Sequence, residues 1–370
     1  MLFRRFYDDG LAQASYLIGC QRSGEAIVID PNMDVTTYVE AAEREKMRIV
    51  HVTETHIHAD FASGIQPLAH LTGATMHVSD EGGEGWRYGF ANAPGVNTLH
   101  DGDRITVGNV HIDAVHTPGH TPEHLTFMVT DGARTDLPVG ALTGDFIFVG
   151  DVGRPDLLER AAGQAGTMRA AAASLYRSIQ RFKVNPDYLQ LWPGHGAGSA
   201  CGKAMSAAAQ STLGYEKVAN WALEPMSEQD FVERVLEGQP PAPAYFGAMK
   251  ARNRDGVDVT HPSALSRKLT PDTVYAVLGG SSSEHPLVID VRNPDEWASG
   301  HLAGAILIPL PELHTRLDEL PRDRAIVVHC QRGGRSAAAT ATLDAFGFTD
   351  VHDMTGGYAA WHAAGLPVTQ

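Results

Sequence analysis

The sequence predicts an α/β protein in two unequal parts, and three observations carry that prediction. Short apolar runs that break off at polar, Gly or Pro turns recur through the first part, which is how strands read. From about residue 262 the pattern becomes a regular alternation of strand and helix, which implies a compact parallel sheet. Histidines are uneven: of 18, eleven precede residue 200, grouped at 51–58, 116–124 and 195, so metal chemistry is expected in the first part. A length of 370 residues suits two domains, and the change of pattern divides them at 1–260 and 261–370. Hydrophobic residues at 43% and charged residues at 20% are ordinary globular usage and exclude disorder as the main state. With 29 basic against 44 acidic residues the formal charge is −15, and both parts are acidic. A broad electrostatic grip on nucleic acid or anionic lipid is thereby disfavoured, and small-molecule partners are expected.

Taken in order, Ser15–Cys20, Ala26–Asp30, Ile49–Thr53, Val110–Val115 and Leu125–Val129 read as strands, and 36–47 and 167–182 as helices. The first residues turn acidic at Asp8-Asp9 before any apolar signal region develops, and no window approaches the roughly 18 apolar residues of a membrane span. A cytoplasmic protein without a membrane partner is expected. Residues 227–237 form a capped amphipathic helix that Gly238-Gln239-Pro240-Pro241-Ala242-Pro243 ends, and a basic stretch with Lys250, Arg252 and Arg254 follows. In the second part come a helix over 271–278, strands over 286–291 and 324–329, a helix over 336–346 and a Gly356-Gly357 turn. The three cysteines, Cys20, Cys201 and Cys330, are far apart and odd in number, which favours free thiols over a disulfide framework. Cys20, on a predicted strand, is expected in the core.

The sharpest local motif follows the strand at 49–53: Thr55-His56-Ile57-His58-Ala59-Asp60-Phe61-Ala62-Ser63-Gly64. Downstream come Thr117-Pro118-Gly119-His120-Thr121-Pro122, then Leu142-Thr143-Gly144-Asp145, then Trp192-Pro193-Gly194-His195-Gly196. Each sets a metal-capable side chain on a Gly-bounded turn where a strand ends, the usual place for a grafted site.

In this order the motifs resemble those of the metallo-β-lactamase superfamily over roughly residues 1–235, which implies an αββα sandwich with metal at one edge of the sheets. A glyoxalase II-type hydrolase of that superfamily holds two metals and carries a His directly after the Asp of the first motif. Here Phe61 stands in that place and cannot ligate, so a second site keeps only Asp60, His195 and a shared Asp145. The pattern with one competent site is similar to the persulfide dioxygenase branch, which implies one Fe(II) per chain held by His56, His120 and Asp145. Two neutral imidazoles and one carboxylate on one face leave octahedral positions open, as in non-haem Fe(II) oxygenases. The single net positive charge suits an anionic persulfide and leaves room for O₂ beside it. A closed structural zinc site would instead use four protein donors.

His58, Asp60 and His195 are then assigned to hydrogen bonds that orient the ligands, with inherited packing as the plainer alternative. His116 is left out, because the resemblance places the metal on the His of Pro-Gly-His-Thr. The stretch Asp151-Val152-Gly153-Arg154-Pro155-Asp156 resembles a Gly-x-Gly-Arg-x-Asp stretch of the dioxygenases; Arg154 either holds a substrate carboxylate or pairs with Asp156 to fix the loop. Cys201, just beyond His195, either carries a persulfide near the iron or is a buried small residue. Lys203 would favour its thiolate if the side chains meet.

In the second part the apolar run Ala325–His329 delivers Cys330-Gln331-Arg332-Gly333-Gly334-Arg335-Ser336 into an Ala-rich helix. A cysteine in a glycine-rich loop at a helix N-terminus, beside Arg332 and Arg335, is expected to be a thiolate nucleophile whose loop amides cradle an anion. Phosphatases place the arginine at Cys-x5-Arg, whereas here it falls one residue earlier, and the tighter loop suits a sulfane sulfur better than a phosphate. With Asp290-Val291-Arg292, Glu296–Ala305 and Gly356–Trp361, the loop closely resembles a single-domain rhodanese over about residues 270–370.

The whole chain therefore resembles a bacterial persulfide dioxygenase/rhodanese fusion. That resemblance implies a bifunctional enzyme of sulfur metabolism: Cys330 exchanges sulfane sulfur with thiosulfate, sulfite or a thiol, and the iron centre oxidises a low-molecular-weight thiol persulfide with O₂ to sulfite. It also implies a homo-oligomer, dimer or tetramer. Two alternatives stand beside it: a zinc thioester hydrolase of the glyoxalase II type fused to a rhodanese, and a non-catalytic sulfur-binding regulatory module.

Overall fold

A computed structural model describes residues 1–160, 166–257, 267–280 and 285–369. The expected division near 260 lies outside the described residues.

Two six-stranded sheets form the first part. One runs in chain order through β1 (Leu2–Asp8), β2 (Gln13–Cys20), β3 (Glu25–Ile29), β4 (Arg48–Thr53), β5 (Thr75–Ser79) and β6 (Val96–Leu99). The other contains β7 (Arg104–Val107), β8 (Val110–His116), β9 (Leu125–Asp131), β10 (Gly140–Gly144), β11 (Gln190–Pro193) and β12 (Ser211–Thr212), again in consecutive order. Alternation along the strands decides the layers. Tyr16, Ile18, Ile27 and Ile29 of the first sheet pack face to face with Ile112, Phe127, Val129 and Leu142 of the second. The opposite face of the first sheet, with Leu17, Val28 and Val52, buries the helices Val35–Arg44 and Ile65–Thr72. That of the second, with Met128, Ala141 and Leu191, buries the helices Met168–Phe182 and Glu228–Leu236. The result is the αββα sandwich.

Most sequence expectations for single elements hold, with differences that have local causes. β1 was not foreseen: its two ends are buried but its middle is open, so it has no clean apolar alternation. The helix expected over 36–47 stops at Arg44, because Lys46 takes a left-handed turn (φ 56°) back into β4. Ser227 caps its helix by accepting the Asp230 N–H. The basic stretch with Lys250, Arg252 and Arg254 is itself a helix, Phe246–Asp255.

The second part is a five-stranded parallel sheet in the order β13-β17-β16-β14-β15, with β13 at Lys268–Leu269, β14 at Leu287–Asp290, β15 at Ile306–Leu307, β16 at Ile326–His329 and β17 at Val351–Met354. Apolar clusters cover both faces. The helix after Cys330 spans Gly334–Ala345, two residues earlier than expected, so the loop passes directly into its first turn. No described helix is long and apolar enough to cross a membrane.

Candidate metal centre and sulfur-transfer loop

The loop after β4, the turn between β8 and β9, and the C-terminal ends of β10 and β11 meet at one edge of the sandwich. They bring together His56, His120, Asp145 and His195, and one ligand atom from each of the first three lies within 4.8 Å of the others. All three are buried. Each is held from behind. The Thr55 hydroxyl donates to Asp30 and so accepts the N–H of His56 Nδ1 at 3.0 Å, which leaves Nε2 as a lone-pair donor. His120 Nδ1 donates to the Arg154 carbonyl at 3.1 Å with the same result. The Asp145 N–H donates to His124 Nε2 at 3.1 Å, and His124 Nδ1 in turn bonds Thr117 Oγ1. Burial, followed by the neighbouring imidazoles, pushes His56 well below the ordinary histidine range; burial also lowers His120 against the pull of Asp145. Both therefore stay neutral, as metal ligands must.

A cation fits this place. Asp145 is 0% exposed, yet neither carboxylate oxygen has a hydrogen-bond partner among the described residues. A buried carboxylate is tolerable only when paired or metal-bound.

Around this trio His58 and Asp30 form a buried pair at 3.1 Å. Burial acts to lower the His58 pKa, but the Asp30 hydrogen bond and charge prevail and raise it to about 9. Asp30, at φ 52°, also accepts the Thr55 N–H at 2.6 Å, so His58 supports His56 through Asp30 and Thr55 as well as by direct ring contact, with centroids 4.3 Å apart. His195 Nδ1 donates to the Ala12 carbonyl, and its Nε2 lies 3.2 Å from Asp60 Oδ2 and 3.5 Å from Asp145 Oδ1. The Phe61 ring packs on His58 with centroids 4.3 Å apart, filling the place where a further donor would stand. His116 bonds the Pro122 carbonyl.

Two points that the sequence left open have a definite geometry here. Arg154 is fully buried and its guanidinium is on Asp156 (2.8 and 2.7 Å) and on the Ala200 and Pro240 carbonyls, the arrangement of the loop-fixing reading. Cys201 does lie beside Asp60 and His195, with a ligand atom from each within 4.8 Å of the others. Lys203 does not meet it: its ammonium is on the Arg234 and Glu237 carbonyls. Burial, with the Asp60 and Asp145 charges, pushes the Cys201 thiol well above its usual range. Cys20 is in the sandwich core, as expected.

Several supporting residues escaped the sequence reading. Asn253 donates to the His58 and Phe61 carbonyls, both at 2.8 Å, and accepts the Ser63 N–H at 3.0 Å; the Tyr245 hydroxyl donates to the Asp60 carbonyl at 2.9 Å. The helix 246–255 thus clamps the first metal motif from about 190 residues away.

In the second part β16 ends directly at Cys330, which is 2% exposed. Its Sγ accepts the Gly333 N–H at 3.1 Å. Arg335 forks onto Glu296 at 2.6 and 2.7 Å, and this hydrogen-bonded pairing holds Glu296 down to about 2. Arg332 is exposed at the loop surface. The Gly356-Gly357 turn supports the loop from below: the N–H groups of Tyr358 and Ala359 donate to the Cys330 and Gln331 carbonyls. Gly357 has φ 57°, and a Cβ there would stand 2.3 Å from the Cys330 carbonyl oxygen, so only glycine fits. Behind the loop, buried Arg292 forks onto Asp290 and approaches Gln331 Oε1 at 3.3 Å.

Comparison with known proteins agrees with both halves. Residues 8–195 match the model of the metallo-beta-lactamase superfamily, and residues 270–364 that of the rhodanese-like domain. A metallo-beta-lactamase from Staphylococcus aureus subsp. aureus COL of known crystal structure is 38% identical, with a TM-score of 0.74, and the match covers 96% of this chain and 99% of that one. The human mitochondrial persulfide dioxygenase ETHE1 is 25% identical over 197 residues, 53% of this chain and 68% of that protein. A sulfurtransferase from Allochromatium vinosum is 36% identical over 88 residues, 24% of this chain and 82% of that protein. The chain belongs to the metallo-β-lactamase superfamily and carries a rhodanese-like domain after the sandwich.

Proposed function

We propose that the chain is a bifunctional enzyme of sulfur metabolism, divided near residue 260 into a persulfide dioxygenase and a rhodanese. The observation that carries the first activity is the buried His56, His120 and Asp145 trio, together with Phe61 where a two-metal hydrolase needs a donor. One Fe(II) per chain would be held by these three residues. Bound there, ferrous iron supplies open coordination positions and the redox chemistry that joins O₂ to a persulfide sulfur. The chain's own residues set up that reaction. Thr55 and the Arg154 carbonyl fix the tautomers of His56 and His120, His124 fixes the backbone of Asp145, and Asp60 with His195 flanks the carboxylate. Net, a thiol persulfide, O₂ and water give the thiol and sulfite.

In the second activity the Cys330 thiolate attacks the sulfane sulfur of thiosulfate, whose S–S bond breaks to release sulfite. A low-molecular-weight thiolate then attacks the outer sulfur of the Cys330 persulfide, taking that sulfur and restoring the Cys330 thiolate. The Gly333 amide, placed on Sγ, and the Arg335 guanidinium, held by Glu296, stabilise negative charge throughout. The same steps run in reverse when sulfite meets the Cys330 persulfide.

The test is anaerobic reconstitution with Fe(II) followed by oxygen uptake with glutathione persulfide, with sulfite as the expected product. Zinc as the native metal, thioester hydrolysis and no oxygen uptake would overturn the dioxygenase assignment.

A further inference from the structure

The two domains are pressed together along the helix that starts behind Cys330. Ala341, Ala345 and Phe346 share an apolar cluster with Leu157, Phe246 and Met249. Lys268 meets Asp8 at 2.7 Å. Gly10, in the turn between β1 and β2, lies so close that a Cβ on it would stand 2.7 Å from the Ala337 Cβ and 3.5 Å from the Gly333 carbonyl oxygen. The arrangement is therefore held by packing and charge together.

Between the same two faces lies a cavity of about 450 Å³. Asp60, the carboxylate paired with His195 beside the metal trio, is one of its lining residues. Its far wall belongs to the other domain: Gly334, Ala338 and Thr342 at i, i+4 and i+8, one face of the helix behind Cys330. All three are small, so that face leaves space where larger side chains would close it. The volume suits a small-molecule ligand. Among the described residues, His314 is the one lining side chain that can carry positive charge.

We propose that this cavity binds the body of the thiol carrier whose persulfide reacts at the metal centre, so that the rhodanese-like domain builds one wall of the other domain's substrate site. The sulfur end points to Asp60 and the metal trio, and the anionic end of the carrier lies toward His314. The proposal presupposes the persulfide reaction assigned above. It also means that the carrier sits against the residue that follows Gly333, whose amide holds Cys330.

Filling the wall tests it. In Ala338→Phe the KM for glutathione persulfide in oxygen uptake should rise about tenfold or more, while metal content and cyanide-coupled sulfur transfer at Cys330 stay at wild-type levels. Ala338→Ser should stay within about twofold. If Ala338→Phe loses metal or sulfur transfer, Thr342→Leu supplies the same comparison. A wild type that takes up no oxygen with persulfide overturns the assigned reaction. A wild type that does, with filled variants matching its KM, overturns the cavity assignment alone.

Discussion

At the candidate metal cluster Asp145 is wholly buried with neither oxygen hydrogen-bonded among the described residues, whereas at the other centre the Cys330 sulfur already has the Gly333 amide on it and Arg335 is already paired with Glu296. Both regions gather charge in a protected place, but they neutralise it differently. The first relies on side chains brought from four separate segments and directed at a common point, so its charge balance calls for a cation. The second relies on amides of one continuous loop and helix start, with a guanidinium and a carboxylate nearby, so its balance is internal. A site of the first kind should lose everything with one ligand or with its metal. A site of the second kind should depend on local geometry.

The sharpest way to break this contrast is a double dissociation. His120→Ala should lower metal content and oxygen uptake by about a hundredfold or more while sparing cyanide-coupled sulfur transfer, and Cys330→Ser should do the reverse. Loss of both activities in either folded variant would show the centres to be one. Next, Arg154→Ala should destabilise the first domain by about 3–5 kcal/mol in denaturant unfolding, because it removes one side of a buried ion pair; a raised KM with unchanged stability would return Arg154 to substrate binding.

Asp30→Asn should cost about 3 kcal/mol at neutral pH. His58, raised to about 9, contributes stability that is fully present below its unfolded value near 6.5 and is lost as pH rises through 9, so the difference from wild type should shrink there in thermal melts. Stripping the metal should lower stability by about 2.7 kcal/mol relative to protein held at a hundredfold excess of metal over Kd, with the calorimetric change confined to the first domain's transition. The smallest effect belongs to the second centre. Glu296, held at about 2 against an ordinary 4.5, contributes stability present above 4.5 and lost as pH falls through 2. Because the pair is partly exposed, Glu296→Gln should cost under about 1 kcal/mol and converge with wild type in acid.

The two regions were also unequally legible in the sequence. The Cys330 loop is one contiguous segment, and strand, cysteine, glycines and arginines could be read together; its supports, Gly357, Tyr358, Ala359, Glu296 and Arg292 among them, come from elsewhere. The candidate ligands His56, His120 and Asp145 were legible because each follows a strand in a recognisable turn. What holds them was not: His124, Asp30, Tyr245 and Asn253 act through hydrogen bonds whose partners share no local pattern with them. For Arg154 both readings were open until its donors were seen to be occupied.

By itself, then, the sequence determined the fold class, many of the single strands and helices and the donor types gathered for each centre, because periodicity, turn residues and donor types are local properties. Only the tertiary structure decided which ring nitrogen faces the metal position, that Lys203 stands away from Cys201, and that Gly334 and Asp60 line one cavity. Those outcomes depend on distances between segments far apart along the chain, which are set by packing two sheets and two domains against one another and leave no trace in any short window.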